Sequence, residues 1–487
     1  MKLTLTIFLT FFISVITIIS GCTSVSAKKE FKEVQQLFNS RTNLDVRWNK
    51  GSKADAELNK KIQSMFVKPL LIDEVVQIAL LNNPSIQAIL EGLGIAQADL
   101  VQAGLLKNLV FEASFRQPKE DGKTNVEYSV KQDFLDILFY PLRQKMAKEE
   151  FEGVKFAVTD KILKLTSEIK SAYFNLQASQ DILTLRRSVL EASEAASELA
   201  NRQKEAGNIQ GIDLANQEAA YYDAQLEYMH AQVELKSRMQ ELARLMGLTD
   251  YQPWEIVNGL PELPAGELTL KELQAKASGN RLDLSSLQHK IEVLKRKVTL
   301  TKVGIVPSIE AGASTERDTD SSRVTGPRVE VEVPLFDRNQ GEVAKAKAEL
   351  RQAEQQLIAL EQDIQLQVSV TYENLISLRK MVEYYKEKIV PTHQKAVEIT
   401  QQHYNYMLKG VYELLQAKKD EILAEFRSIE TLRDYWKTRA ELEYLISEKF
   451  PTLVENPKEM REKIPEEKEE TQPMNEIQHQ HHHHGGD

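Results

Sequence analysis

The stretch VFEASFRQPKEDGKTNVEYSVK, residues 110–131, decides the fold class. Phe111, Ala113 and Phe115 fall on one side and Glu112, Ser114 and Arg116 on the other, while Val126, Tyr128 and Val130 alternate with Glu127, Ser129 and Lys131. A period of two belongs to a strand, and QPKEDGKT supplies a polar hairpin loop. The scheme returns in PSIEAGAST, where Ile309, Ala311 and Ala313 share a face, and in RVEVEVP, where Val329, Val331 and Val333 oppose Glu330 and Glu332, with ERDTDSSRVTGP as the connection. Amphipathic strands with polar loops and nearby aromatic residues (Phe134, Phe139, Tyr140) have the make-up of transmembrane barrel strands. Four strands cannot close a barrel, and lipid does not tolerate an open sheet edge. The expectation is therefore an oligomer, and three copies give 4 × 3 = 12 strands.

Outward from the strands the chain is helical. It has only 20 Gly and 15 Pro in 487 residues. The run from Leu142 to Ala206 holds no proline and only Gly153, and nothing between Gly341 and Pro391 is either residue. About 65 residues of helix span on the order of 100 Å, the length of a spacer or a tube wall. Val343, Leu350, Leu357 and Ile364 recur every seven residues, interleaved with Ala346, Ala353 and Leu360, which makes a coiled-coil seam. Each run breaks on glycine, at Gly207 to Gly211 in AGNIQGIDLANQEAAYYD (206–223) and at Gly410 in LKGVYELLQAKKDE (408–421), and resumes at once.

The event recurs because the chain is a tandem repeat. LFYPLRQKMAKEE (138–150) lies over LFDRNQGEVAKAK (335–347) at an offset of 197, and DLANQE (213–218) lies over ELLQAK (413–418) at an offset of 200. More loosely, LLIDEVVQIALLNNP (70–84) lies over LTLKELQAKASGNR (268–281). Each half reads as helix, two strands, a very long helix, a glycine turn and a return helix. The fold class is mainly α with a small β part, in repeats 70–248 and 268–447 joined by a proline-bearing linker, 249–267.

The ends carry addresses and tails. Met1 and Lys2 precede an apolar run from Leu3 to Ile19, the pattern of a secretory signal peptide over 1–21. Ile19-Ser20-Gly21-Cys22 resembles a bacterial lipobox, which makes Cys22, the single cysteine, the acylated N-terminus of an anchored segment 22–69. An ordinary signal peptide with a chance cysteine is the alternative. Thr23 after the cysteine favours the outer membrane. Residues 448–487 form a charged tail ending in His479 and His481, His482, His483 and His484. Clustered imidazoles bind copper, nickel or zinc; a neutral low-complexity end and a cloning remnant are the competing readings. The net charge of −10 argues against a nucleic-acid partner. No phosphate loop, nucleophile elbow or HExxH motif is present, so an enzyme and a cofactor are not expected.

The lipobox, the tandem halves, the strand pair feeding each long helix, and VEVPLFDRNQGEVAKAKAEL (331–350) together resemble the TolC-type outer-membrane factor family, in its lipoprotein branch, over roughly residues 60–447. The resemblance implies a homotrimeric exit duct in the outer membrane, serving tripartite efflux or type I secretion with a periplasmic adaptor and an inner-membrane transporter. It makes Gly207, Gly211 and Gly410 part of the hairpin tips that dock the adaptor. It places Asp213, Tyr404 and Lys409 at a lock on the periplasmic aperture, and Glu413 and Gln416 on rings at the constriction. Lysine stands where the family's best-known member has arginine, and Gln416 where an acid is expected, so the lock and one ring are weaker here. For each of these residues a solvated helix end is the plainer alternative. A periplasmic adaptor is the rival function, although it has one coiled-coil hairpin and no repeated strand pair.

Overall fold

The computed structural model describes residues 28–51, 62, 64–118, 123–248, 254–303, 308–333 and 335–450. Two compact units divide the chain: Met1–Glu262 with Leu268–Lys449, and Leu263–Glu267 with Phe450–Asp487. Of the second, the described residues hold no helix or strand. The first contains every element below.

A short helix α1 (Lys28–Thr42) precedes the repeats. The first repeat runs α2 (Ile72–Asn82), α3 (Pro84–Ala103), β1 (Val110–Arg116), β2 (Asn125–Asp133), α4 (Phe134–Glu205) and α5 (Gly211–Leu245). The second runs α6 (Leu270–Asn280), α7 (Leu282–Val303), β3 (Ser308–Arg317), β4 (Arg323–Glu332), α8 (Gln340–Tyr384), a π-helical turn (Tyr385–Ile389), α9 (Val390–Asn405) and α10 (Val411–Leu445). The first helix of each half is thus a broken pair. In the first repeat the break is chemical: Pro84 takes the first helical position, and the Asn83 side chain accepts from the Ser85 N–H at 2.7 Å.

Each break also captures the end of its own return helix. Asn83 donates to the Leu245 carbonyl at 2.6 Å, and Asn82 donates to those of Met246 and Gly247 at 3.0 and 2.8 Å. In the second repeat Arg281, buried between α6 and α7, pairs with Asp283 and lies over the Tyr444 ring at 5.3 Å. Asp160 of α4 faces the same group through a 3.5 Å hydrogen bond from the Tyr444 hydroxyl, so this charged joint spans the two repeats. Burial, with the Asp283 charge adding to it, pushes the Asp160 carboxyl up to about 6.

The heptad seam behaves as its spacing requires. Ala346, Ala353 and Ile364 are buried, and Leu350 and Leu357 pack with Ala353 against Ile291 and Leu294 of α7. The linker residues 254–262 cross α4 and α10: Gln177 donates to Val257 and Gly259, both at 2.8 Å, Trp436 donates to Pro261 at 2.8 Å, and Leu70 bridges Ile256. Residues 28–51 are built into the body. Val34, Phe38, Val46 and Trp48 are buried, Glu33 bonds Lys155 at 2.6 Å, and Arg41 donates to the carbonyls of Asn280 and Ser447, both at 2.9 Å.

The strands form one antiparallel sheet in the order β1-β2-β3-β4. β3 and β4 reach further than the sequence suggests: β3 continues to Arg317 and β4 begins at Arg323, so most of ERDTDSSRVTGP is ladder rather than loop. Pro327, paired with Ala313, lies on β4, an edge of the single chain's sheet. Phe134, Phe139 and Tyr140, read as strand-end aromatics, belong to the first turns of α4, which Asp133 caps by accepting from Leu135 and Asp136.

Candidate functional site

The sheet places all four alternations in phase. Register aligns Phe111 with Val130, Ala113 with Tyr128 and Phe115 with Val126, and continues through Val130 to Ala313, Ile309 to Val331 and Ala311 to Val329. This yields one apolar face, exposed on the single chain: Phe111 is 66%, Phe115 65% and Val329 66% accessible. The opposite face carries Glu112, Glu127, Glu310, Glu316, Glu330 and Glu332 against Arg116, Lys131 and Arg328. Lys131 bridges Glu310 and Glu330 at 2.6 and 3.4 Å, and Arg328 reaches Glu127 at 3.3 Å. With Asp133, which pairs with Glu310 at the end of β2, the face has more than twice as many acids as bases. Gly312, on this face, is a close-approach glycine, since a Cβ there would lie 2.0 Å from the Val130 carbonyl oxygen.

At the other end of the long helices stand two tips built alike, 200 residues apart. In the first, the Asn208 N–H bonds the Gln203 carbonyl at 2.8 Å and Gly207 is left-handed at φ +73°. In the second, the Leu408 N–H bonds the His403 carbonyl at 2.9 Å, and the left-handed residue is Met407 at φ +59°. The helices restart at Gln210 and Gly410, whose N–H groups are accepted by Asp213 at 3.1 Å and Glu413 at 2.8 Å. The counterpart of Gly207 is therefore Met407. Gly410 has φ −81°, an extended backbone open to any residue, and Gly211 begins α5 without left-handed geometry. Of the three glycines at which the helical runs break, Gly207, Gly211 and Gly410, only Gly207 takes a left-handed backbone. A non-glycine in the left-handed region costs about 1 kcal/mol, and Met407, 95% exposed, meets no obstacle there.

The carboxylates of Asp213 and Glu413 thus satisfy helix N-termini, a favourable site for negative charge. Tyr404 sits in the last turn of α9, and Lys409 is exposed beside Gly410. Gln416 donates to Asp420 at 2.9 Å and, with Tyr412, lines a cleft between the first hairpin and α10. The tips meet through Tyr412, whose hydroxyl donates to Gln203 at 3.5 Å. Burial raises the Tyr412 pKa and the Asp213 charge raises it further. Sequence reading passed over Met407 and Tyr412; carrying the 200-residue offset through residue by residue points to Met407 as the partner of Gly207. Cys22, His479 and His481 to His484 lie outside the described residues. Among the described residues no cluster of three or more potential metal ligands occurs, and no helix is long and apolar enough to cross a membrane.

Comparison with known proteins agrees with this architecture. The cobalt-zinc-cadmium resistance protein CzcC of Cupriavidus metallidurans is 21% identical over 343 residues, covering 67% of this chain and 78% of CzcC. The alkaline protease secretion protein AprF of Pseudomonas aeruginosa is 25% identical over 291 residues, 53% of this chain and 60% of AprF. The crystal structure of CusC, described in terms of transmembrane channel formation, superposes with a TM-score of 0.64 at 16% identity, covering 80% of this chain and 94% of CusC. The outer membrane efflux protein family matches residues 75–248 and 273–447, one match on each repeat, and the chain belongs to that family.

Proposed function

We propose that the protein is the outer-membrane exit duct of a tripartite efflux system, a homotrimer whose sheets join into a 12-stranded barrel and whose long helices form a periplasmic tunnel. The observation that carries this is the sheet: apolar on one face, charged on the other, and open at β1 and β4. Such edges need neighbours in lipid, and another copy supplies them. The strand pair in each repeat speaks against the adaptor reading.

We also propose a lipid anchor at Cys22, a reading that the position of α1 supports. Lys155 is 21 residues into α4, so Glu33, its partner, lies about 32 Å from the sheet's base. Thr42 borders Leu163, Thr166 and Lys170, so α1 runs away from the sheet and Lys28 lies about 24 Å from that base. Six residues separate Cys22 from Lys28, and six residues reach about 20 Å when extended, so an acylated Cys22 would be within reach of the periplasmic leaflet. The cargo we assign is a heavy-metal cation. The acid-rich inner face favours cations, the similarity to CzcC points the same way, and the terminal histidines would buffer the metal. Similarity to AprF supports protein export by a type I system as the second reading. At the tips Asp213, Tyr404, Lys409, Glu413 and Gln416 close the mouth until an adaptor binds and the inner-membrane transporter delivers cargo.

The test is growth of a deletion strain on copper, silver, zinc, cobalt and cadmium beside dyes and antibiotics, complemented by the full chain or one ending at residue 475. Sensitivity to metals, rescued by the full chain, is expected. Sensitivity to dyes and antibiotics alone, or loss of a secreted protein without metal sensitivity, would refute the metal reading.

A further inference from the structure

The second tip keeps its shape without help from the side chain at its left-handed position. The N–H groups of Tyr406, Met407 and Leu408 donate to the carbonyls of Gln402, Tyr404 and His403 at 3.1, 2.9 and 2.9 Å, so backbone alone closes the turn. Left-handed geometry strains an L side chain and suits glycine, and the first tip does place Gly207 there at φ +73°. Met407 fills the equivalent position at φ +59° and is 95% exposed. Folding therefore does not account for the methionine, and residues held in sparse backbone regions gather at functional sites. Tyr406 and Leu408 on either side are 78% and 71% exposed, which leaves three consecutive large apolar residues in water. Such a run marks a surface that a partner covers. On the duct reading, on which this inference rests, that partner is the adaptor.

What sets methionine apart from leucine or isoleucine at such a place is its sulfur. A two-electron oxidant converts the thioether into a sulfoxide, polar where the parent side chain is apolar. With hypochlorous acid, the sulfur lone pair bonds to chlorine and hydroxide leaves; water then displaces chloride from sulfur and loses its protons. On balance one thioether and one hypochlorous acid give one sulfoxide, one chloride and one proton, with sulfur oxidised by two electrons and chlorine reduced by two. Methionine sulfoxide reductases reverse the change, a dithiol returning the two electrons. Exposure singles out Met407: Met381, Met229 and Met239 are 52%, 49% and 37% accessible, and Met246 is buried. The first tip, with Gly207 at the same place, has no sulfur there.

We propose that Met407 is a reversible oxidation site, and that its sulfoxide loosens the hold of the second tip on the adaptor. A sulfoxide oxygen buried without a donor weakens the contact on the order of tenfold at each tip. The duct then uncouples from its pump under oxidants and recouples once the sulfoxide is reduced.

Two measurements test it. Outer membranes carrying the protein are titrated with hypochlorous acid and digested with trypsin; residues 396–409 form one tryptic peptide with Met407 as its single methionine. Gain of an oxygen on this peptide is expected before any on the peptides that hold Met381 or Met246, and a methionine sulfoxide reductase should remove it. Oxidation of Met381 first, or of all three together, would overturn the site. The second measurement is growth of the deletion strain, complemented by parent or variant, on the compound to which the deletion is sensitive, before and after a pulse of the oxidant. The tolerance retained should fall on the order of tenfold with the parent and stay level with Met407→Leu, which keeps an apolar residue and removes the sulfur. Met407→Gln, polar without oxidation, should lower tolerance with no oxidant present. Equal losses in the parent and Met407→Leu, or full tolerance with Met407→Gln, would overturn the effect on docking. If the deletion strain shows no sensitivity, the duct reading fails and the docking effect with it, while the peptide result alone still decides the oxidation site.

Discussion

Asp160→Asn isolates the charged joint between the repeats. The carboxyl is held at about 6 against an ordinary 3.8, chiefly by burial. Below 3.8 it is neutral in the folded and unfolded chain alike. Between those values the folded protein keeps a proton that the unfolded chain has lost; above 6 both are ionised. The group therefore contributes stability that is fully present at low pH and is lost as pH rises through 6. That separation corresponds to about 3 kcal/mol. Asparagine keeps the size and stays neutral, so Asp160→Asn should match the parent near pH 4 and be more stable by about 1–3 kcal/mol at pH 8, the lower bound allowing for lost attraction to Arg281. Urea unfolding of detergent-solubilised protein, followed by circular dichroism from pH 4 to 8, reads the difference directly. Asp181, also raised to about 6 by burial, remains in both proteins and cancels. A parent–variant difference that is constant across this range, or a variant less stable at pH 8, would show that the joint does not hold a strained carboxylate.

Gly312→Ala sets a Cβ 2.0 Å from the Val130 carbonyl, and backbone cannot step aside as a side chain can; we expect a loss of about 1–3 kcal/mol and less heat-resistant oligomer on gels, with an unchanged band refuting the close approach. Asp213→Ala combined with Tyr404→Phe should raise single-channel conductance in planar bilayers, and no rise removes these residues as a lock. Tyr412→Phe provides the comparison: if it opens the channel and the first pair does not, the closing contact is the one seen within the chain. Deleting residues 24–27 shortens the reach of the tether by about 14 Å, and should reduce trimer in the outer membrane while palmitate labelling of Cys22 persists; normal assembly would refute the anchor geometry.

By itself the sequence determined whatever depends on neighbours a few residues away. The period of two in residues 110–116 and 125–131 specified the β1–β2 hairpin, and the heptads from Val343 to Ile364 specified a helix with a buried alanine seam, because side-chain direction follows backbone geometry. The repeat, the two reversals and the need for other copies were legible in the same way. Tertiary structure decided the rest. Met407 adopts the left-handed turn because the two helices of its hairpin must reverse there, and Gly410 beside it is an ordinary cap. Strand β4 extends through Gly326 and Pro327 because β3 offers it a ladder, overriding local turn chemistry. Residues 28–51 fold into the body, and Asp160, Arg281 and Tyr444 meet, through contacts more than a hundred residues apart in the chain. Such pairings leave no local pattern: burial and charge choose them only once the helices are packed.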